Sequence, residues 1–270
     1  VKWGSSVSKF VTLKCCVRQG GVLSLHLFAV FVDDVALKVA QSNACSNINF
    51  VPISIFMYAD DILLLSPSVT FLQQLVSLVE NELRLLDMAI NSAKSVCLRI
   101  GERFDVLCSN ITLSDGRVIP WVKTCRYLGV YIQANRVFKC IFDNAKKSFY
   151  RAFNAIYGKV GSCASLDVVF HLINVKCVPI LMYGLDACPV NVSESKSLDF
   201  TVFKIAAKVL GTVSNYILTE CRSAFGLDQM SVKINRSKYR FLKRYTMSCD
   251  NIICQICYNT AIGELNALNI

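Results

Sequence analysis

Histidine is nearly absent from this sequence: only His26 and His171 occur among 270 residues. A structural zinc site usually needs four ligands in paired spacing, and neither histidine lies near the densest cysteine group, which is Cys249, Cys254 and Cys257. The sequence therefore argues against structural zinc. Most of the 14 cysteines are expected to be small buried apolar residues.

A signal peptide is lacking in the chain as given, which argues against a secreted disulfide scaffold. The cysteines are therefore expected to be reduced, in an intracellular protein of the nucleus, the cytoplasm or both. The sequence begins at Val1 without an initiator methionine and is patterned from its start, so we expect it to be a piece of a longer protein.

Uninterrupted apolar runs of membrane-spanning length are also lacking, although 54% of the residues are hydrophobic and the mean hydropathy is +0.45. The best candidate for a membrane span, residues 168–190, contains residues that a lipid-facing helix rarely tolerates: His171, Asn174, Lys176, Pro179 and Asp186. We expect a buried helix there and no membrane partner. A membrane-associated protein is the alternative.

Acidic residues are few, since 19 Asp and Glu stand against 29 Lys and Arg and the formal net charge is +10. This charge favours a polyanionic partner such as nucleic acid or an acidic membrane surface. Two basic segments of the second half are candidates for contacts with a nucleic-acid backbone: Lys139, Lys146, Lys147 and Arg151, then Lys233, Arg236, Lys238, Arg240, Lys243 and Arg244. Bases could stack on the aromatic residues of the second segment, which are Tyr239, Phe241 and Tyr245. The alternative is that both segments are solvated helix faces.

Two adjacent acids, Asp60 and Asp61, interrupt the otherwise apolar stretch "FMYADDILLLS" over residues 56–66. The pattern predicts a buried hairpin with the acids at its tip, packed on a helix over 71–89. A carboxylate buried there is costly unless it is paired or binds a metal.

A second acidic pair, Asp33 and Asp34, has a simpler explanation. It lies on a predicted helix over 24–39, where Asp34 can pair with Lys38 one turn later. Two adjacent acids therefore do not identify a site by themselves.

The periodicity of the chain changes near residue 133. Before it, we predict strands over 10–14, 96–100 and 126–132, with a turn at Asp115 and Gly116. After it, helical spacing replaces strand alternation. The sequence therefore predicts an α+β protein with one domain over 1–132 and a mostly helical region over 133–270.

Four motifs occur in one order: "VRQGGVLS", "YADD", "INSAKS" and "YLGVYI". This order resembles the reverse transcriptase of non-LTR (LINE-type) retrotransposons, whose palm carries a Gln-Gly motif, a Y/F-x-D-D hairpin, a lysine-bearing motif and a primer-grip hairpin. The resemblance implies a partial polymerase palm over 1–132, with an antiparallel sheet and packed helices, followed by a thumb-like region over 133–270.

The resemblance also implies roles for individual residues. Asp60 would hold a divalent metal directly and Asp61 would assist. Lys94 would act near the leaving pyrophosphate, although a lysine in a surface turn remains an open alternative. The remaining roles are nucleotide or template binding by Arg18, Gln19, Gly20 and Tyr58, and a primer grip formed by Tyr127, Leu128 and Gly129. Leu128 is expected to lie in the core.

The intact parent would be an RNA-directed DNA polymerase. It would extend a DNA primer on an RNA template from deoxynucleoside triphosphates, with Mg²⁺ or Mn²⁺ bound by the clustered carboxylates.

Three departures from the family pattern bear on activity. Leu25 follows Ser24 where the family usually has proline, and Cys16 replaces a glycine. The family's first catalytic aspartate precedes the Gln-Gly motif, whereas the 18 residues before Gln19 contain no acid. We therefore expect this chain alone to be inactive, and a non-catalytic nucleic-acid-binding remnant is the alternative.

Overall fold

A computed structural model describes residues 2–9, 21, 23–48, 51–161, 163–248 and 252–268. The strand predicted over 10–14 lies outside these residues. The chain divides into two compact units: unit 1 comprises Val1–Ala93 and Ile111–Val118, and unit 2 comprises Lys94–Asn110 and Ile119–Ile270. The predicted domain boundary near residue 133 does not coincide with the bounds of these two units, and it stays a prediction.

Unit 1 contains two long helices and several short strands. In chain order they are β1 (Lys2–Trp3), β2 (Ser6–Val7), α1 (Ser24–Ala40), β3 (Asn47–Ile48), β4 (Val51–Pro52), β5 (Ile55–Tyr58), β6 (Asp61–Leu64), α2 (Val69–Leu85) and β7 (Ile111–Thr112). β1 pairs with β2, β3 with β4 and β5 with β6, each antiparallel. β7 pairs with β8 (Val118–Ile119).

Both predicted helices of this unit are present. Helix α2 begins after Ser68, whose hydroxyl caps it by accepting the Phe71 N–H at 3.1 Å. The helix ends at Leu85, earlier than the predicted 89, because Asp87 takes a positive φ of 55° that a right-handed helix does not allow.

The core of unit 1 lies between the two helices and the β5–β6 hairpin. Its buried members are Val35, Val39, Ala44, Leu75, Val79 and Leu83, with Ile55, Ile62 and Leu64 of the hairpin packed against them. Two side chains of α2 also hold the segment after β7: the Gln73 amide makes two 2.8 Å hydrogen bonds with the backbone of Thr112, and Glu80 accepts from the backbone and hydroxyl of Ser114.

Unit 2 begins with an antiparallel sheet in the order β11–β10–β9: β9 (Thr124–Tyr127), β10 (Val130–Gln133) and β11 (Lys139–Ile141). The strand predicted over 96–100 is wrong, because the backbone of this segment forms only one bridge, from Cys97 to Trp121. The predicted strand over 126–132 is in fact split into β9 and β10 by a turn. The turn predicted at Asp115 and Gly116, in unit 1, is present.

The rest of unit 2 is helical over the described residues. The helices are α3 (Asp143–Val160), α4 (Leu166–Leu172), α5 (Val178–Met182), α6 (Val192–Leu210), α7 (Asn215–Ala224), α8 (Met230–Met247), α9 (Ile252–Ile256) and α10 (Tyr258–Ala267). Their core includes the fully buried Phe149, Phe153, Phe170, Leu181 and Leu198. The mixed α+β class is confirmed, with small antiparallel sheets and a mostly helical second half.

The most apolar stretch of the chain is broken between α4 and α5. A π-helical turn over Ile173–Cys177 joins the two helices, and Pro179 lies in the first turn of α5. Because proline has no N–H and its ring clashes with the preceding turn, the hydrogen-bond ladder widens there instead of continuing. The segment buries Phe170, Ile173 and Leu181 in the core of unit 2, as predicted, but its helical structure ends at Met182 and does not continue to residue 190.

Candidate functional site

The "YADD" motif forms the tip of the β5–β6 hairpin in unit 1. Tyr58 ends β5 and pairs with Asp61, the first residue of β6, so the connecting loop consists of Ala59 and Asp60. Ala59 takes a φ of 52°, in the left-handed region that costs a non-glycine residue about 1–2 kcal/mol. A two-residue hairpin loop requires such a conformation, because only mirror-image turns match the twist of the strands.

The hairpin presents its acids to solvent. Tyr58 is 65% exposed, and Ala59, Asp60 and Asp61 are also exposed. The expectation of a buried carboxylate is therefore wrong: the apolar residues around the motif fill the strands, while the tip extends beyond the core. Alternation along the strands places Tyr58 and Asp61 on the face opposite Ile62, which packs on the helices.

Two exposed carboxylates supply hard oxygen donors, the type that Mg²⁺ prefers. Within the described part of the chain, no group of three or more His, Cys, Asp or Glu side chains is arranged to hold a metal. Asp60 and Asp61 are thus two carboxylates that the hairpin tip could offer to a divalent ion, which would need further ligands from elsewhere.

The other acidic pair has a different geometry. Asp33 and Asp34 are exposed on helix α1, where successive side chains diverge by about 100°. No ion pair joins Asp34 to Lys38 in the described structure, because both side chains extend into solvent where such a pair gains little. The pair serves as an internal control for "YADD".

Two further motifs of the polymerase resemblance give less information. Arg18, Gln19 and Gly20 lie outside the described residues. Lys94 is exposed at the end of a turn in which the Asn91 side chain accepts the Ala93 N–H at 3.2 Å. This geometry suits a surface lysine and leaves the ammonium group accessible to an anion.

The "YLG" residues form the tip of the β9–β10 hairpin in unit 2. Tyr127 pairs with Val130 across a two-residue loop of Leu128 (φ 45°) and Gly129 (φ 84°). The prediction that Leu128 lies in the core is wrong: it is 38% exposed, because the turn directs it away from the sheet. The hydroxyl of Tyr183, which the sequence did not single out, donates to the Leu128 carbonyl at 2.9 Å.

The first basic segment is divided between a strand and a helix. Lys139 is exposed on β11, so the helical structure predicted to follow residue 133 begins only at Asp143. Lys146 is already engaged, by Asp143 at 3.2 Å and by the Ser197 hydroxyl at 2.9 Å. Lys147 and Arg151 are exposed one turn apart on α3.

The second basic segment lies on helix α8, and its residues differ in the contacts that their side chains make. Lys238 pairs with Glu264 of α10 at 2.7 Å. Lys233 donates to the side-chain oxygen of Asn174 at 2.8 Å and to the Gly226 carbonyl at 3.2 Å. Arg240, Lys243 and Arg244 are exposed and have no side-chain partner among the described residues.

Two of the three aromatic residues that could stack on bases, Phe241 and Tyr245, make contacts within the protein. The rings of Phe241 and Tyr245 pack together with centroids 5.9 Å apart, and the Tyr245 hydroxyl donates to the Ile253 carbonyl at 2.8 Å. These contacts engage Tyr245 within the protein. Tyr239 is only partly exposed.

A buried ion pair fixes the turn that precedes α8. Arg222 of α7, with 8% of its side chain exposed, donates to Asp199 of α6 at 2.7 and 3.2 Å and also to the Leu227 carbonyl. Asp199 also accepts the Met230 N–H at 3.0 Å. Burial raises the pKa of Asp199, but the hydrogen bonds from Arg222 and Met230 outweigh it and hold that pKa below its ordinary value.

Within the described residues, no helix combines the length and the apolarity that crossing a membrane requires. Among curated proteins, none matches the chain. Residues 3–132 match the family model described as "Reverse transcriptase (RNA-dependent DNA polymerase)", a segment that contains the "YADD" hairpin and the "YLG" turn.

Proposed function

We propose that this chain, whose residues 3–132 carry a reverse transcriptase domain, belongs to the RNA-directed DNA polymerase of a non-LTR (LINE-type) retrotransposon. The intact enzyme would copy an RNA template from a DNA primer in the nucleus or the cytoplasm. The order of the four motifs supports the finer assignment. The observation that carries the proposal is the exposed "YADD" tip, because two accessible carboxylates on a two-residue hairpin are suited to meet a nucleotide from solvent.

Asp60 and Asp61 would hold Mg²⁺ or Mn²⁺ together with the phosphates of the incoming nucleotide. A bound divalent ion lowers the pKa of the primer 3′-hydroxyl and neutralises charge on the triphosphate. The protein contributes a rigid tip, since the strands are anchored by Ile55, Ile62 and Leu64 in the core of unit 1.

Other residues would position the substrates. The "YLG" turn is exposed and is held by Tyr183, which suits a backbone element that contacts the primer end. Lys94 would neutralise charge on the leaving pyrophosphate, and Tyr58 would contact the nucleotide or template. The roles of Arg18, Gln19 and Gly20 rest on the motif alone.

Nucleotide binding tests this proposal directly. Equilibrium dialysis of the chain against a deoxynucleoside triphosphate with Mg²⁺ should show binding that chelation of the metal removes. The double variant Asp60→Asn/Asp61→Asn should lose this binding, whereas Asp33→Asn/Asp34→Asn, which removes the same charge from α1, should retain it. Equal behaviour of the two double variants would contradict a nucleotide site at "YADD".

Primer extension by the chain alone is expected to be absent. A two-metal mechanism needs a bridging carboxylate, and neither the described residues nor the 18 residues before Gln19 offer a third acid at the site. Template-dependent incorporation that Asp60→Ala abolishes would show that the chain is sufficient for catalysis and would contradict this expectation.

A second candidate function is nucleic-acid binding without catalysis. Arg240, Lys243 and Arg244 of α8 favour it, because they have no side-chain partner within the described part of the chain and phosphate contacts need no metal. In that case Asp60→Asn would leave nucleic-acid binding unchanged or slightly stronger, and no nucleotide would bind at the hairpin.

A further inference from the structure

The basic residues of α8 are concentrated on one side of the helix. Lys233, Arg236 and Arg240 follow one another at intervals of three or four residues, and Lys243 and Arg244 lie three and four residues after Arg240, which places all five within one stripe. The residues that α8 buries, Met230, Ile234 and Leu242, face elsewhere. Lys238 falls outside the stripe and is paired with Glu264.

A cleft of about 390 Å³ opens at the N-terminal end of this stripe. Most of its lining residues come from the turn before α8 and from the helix itself: Gly226, Asp228, Lys233, Arg236, Ser237 and Arg240. Three cations and a hydroxyl thus surround one open space, against a single acid.

Hydrogen bonds of the turn before α8 and of the Lys233 side chain hold the walls of this cleft in place. The Asp199–Arg222 pair fixes the backbone of the turn through hydrogen bonds to Leu227 and Met230. Lys233 is tied to Asn174 on the π-helical turn and to Gly226. These contacts hold the turn and the Lys233 side chain in place, so this part of the cleft needs little further ordering when an anion binds.

Lys233 has one donor left for a ligand. An ammonium group carries three N–H donors, and the two contacts with Asn174 and Gly226 use two of them. Its desolvation by burial lowers the pKa of Lys233, the direction expected for a cation that lacks a full complement of anionic neighbours.

We propose that this cleft binds a phosphate group of a nucleic-acid strand, held by Lys233, Arg236 and Arg240, with Lys243 and Arg244 contacting the next phosphates along α8. The identity of the ligand rests on the proposed function, whereas the site rests on the cations and the cleft. Free pyrophosphate also presents anionic phosphate groups, so it is the alternative ligand for this cleft.

Asp228 acts as a competing acceptor at this site. Its carboxylate lies 3.8 Å from the Arg236 guanidinium, a distance too long for a hydrogen bond but close enough for an ionic attraction. A phosphate entering the cleft takes over Arg236 and is repelled by Asp228. Removal of the Asp228 charge should therefore strengthen binding, which is the opposite of the effect of removing a cation.

The test measures binding of a labelled single-stranded oligonucleotide to the full chain, in chelator and without nucleotide, over a series of salt concentrations. Arg240→Gln should weaken binding about tenfold and make the slope of log affinity against log salt shallower, by about 0.7 for each phosphate that the variant no longer neutralises. Asp228→Asn should tighten binding. Lys196→Gln, which removes one exposed charge from α6, is the matched control and should change neither quantity appreciably.

Pyrophosphate competition separates the two sources of the phosphate group. If Arg240→Gln and Asp228→Asn alter oligonucleotide binding in opposite directions, the strand is the ligand. If they alter only pyrophosphate binding, the cleft takes the free anion and the strand assignment is overturned. If neither probe responds, the site itself is overturned. Since no metal or nucleotide is present, none of these results depends on the "YADD" proposal.

Discussion

The hydroxyl of Tyr183 donates a hydrogen bond to the carbonyl oxygen of Leu128 at 2.9 Å, and its ring occupies the space beside Gly129 that a side chain would need. A Cβ added at Gly129 would come within 2.8 Å of the Tyr183 ring. The tip of the β9–β10 hairpin is therefore held by a residue that is far away in sequence. Glycine is needed at position 129 both for the positive φ and because the Tyr183 ring leaves no room for a side chain.

Gly129→Ala should destabilise the protein by about 1–2 kcal/mol, because alanine is strained at a φ of 84° and the tyrosine ring must move. Urea unfolding measures the change. Gly263→Ala on α10 is the control: space there is open, and alanine favours helix by up to about 1 kcal/mol, so stability should rise. Equal effects at the two glycines would contradict the turn geometry.

In the "YADD" loop, a substitution at a residue with positive φ should raise the stability of the protein. Ala59→Gly should stabilise the protein by about 1 kcal/mol, because glycine adopts a φ of 52° without strain. Ala93→Gly, in an exposed turn without positive φ, should be neutral or destabilising by up to about 1 kcal/mol. Thermal or urea unfolding of both variants gives the comparison, and destabilisation by Ala59→Gly would show that the loop geometry differs.

The exposure of Asp60 changes the expected effect of removing its charge. A buried carboxylate would make Asp60→Asn stabilising in metal-free buffer, whereas an exposed one predicts a change within about 0.5 kcal/mol. Asp34→Asn should behave alike, since Asp34 is also exposed and unpaired within the described structure. A clear stabilisation by Asp60→Asn alone would restore the interpretation of a buried charge.

The sequence predicted the fold where periodicity and motif order coincide. The β5–β6 hairpin, α1 and α2 are present because their apolar residues recur with the period of the element that buries them. The exposure of Asp60 was missed because apolar neighbours indicate what the strands bury, and not how far a two-residue tip extends beyond the core. The strand predicted over 96–100 is absent because a strand needs a neighbouring strand to pair with, and in this segment only Cys97 forms a backbone bridge, with Trp121.

Part of the candidate site was also predictable from motif order and residue spacing. Motif order identified Asp60 and Asp61, and helical spacing could have shown that Lys238 leaves the basic stripe of α8. No local signal marks Tyr183 or Asp228, because their importance arises from contacts made across unit 2.

The Asp199–Arg222 pair predicts how stability depends on pH. Because the folded pKa of Asp199 is lowered, its contribution is fully present above the ordinary carboxyl pKa of 3.8 and is lost as the pH falls through the lowered value. Arg222→Met should cost about 2–4 kcal/mol at neutral pH and reverse this acid dependence, because burial then outweighs the Met230 hydrogen bond and raises the pKa of Asp199. Arg136→Gln, which breaks an exposed pair with Glu102, should cost less than about 1 kcal/mol. Unfolding at neutral and acidic pH measures both, and similar costs would contradict a structural role for the buried pair.

Thiol reactivity tests the packing of unit 2. Burial raises the pKa of the Cys188 thiol to about 12, and Cys177 is fully buried. Cys163 and Cys257 are exposed. Because the thiolate is the reactive form, brief alkylation of the native protein followed by mass spectrometry should label Cys163 and Cys257 well before Cys177 and Cys188. Rapid native labelling of Cys177 would contradict the described core.

The most direct test of the central claim places a paramagnetic ion at the "YADD" tip. Mn²⁺ added with a deoxynucleoside triphosphate should broaden the NMR amide signals of Tyr58, Ala59 and Asp61 before others, because paramagnetic relaxation falls steeply with distance. The account predicts that Asp60→Asn/Asp61→Asn abolishes this broadening and that Asp33→Asn/Asp34→Asn leaves it intact. Broadening that is absent at the tip, or that survives the loss of both tip carboxylates, would contradict the assignment of this hairpin as a metal–nucleotide site.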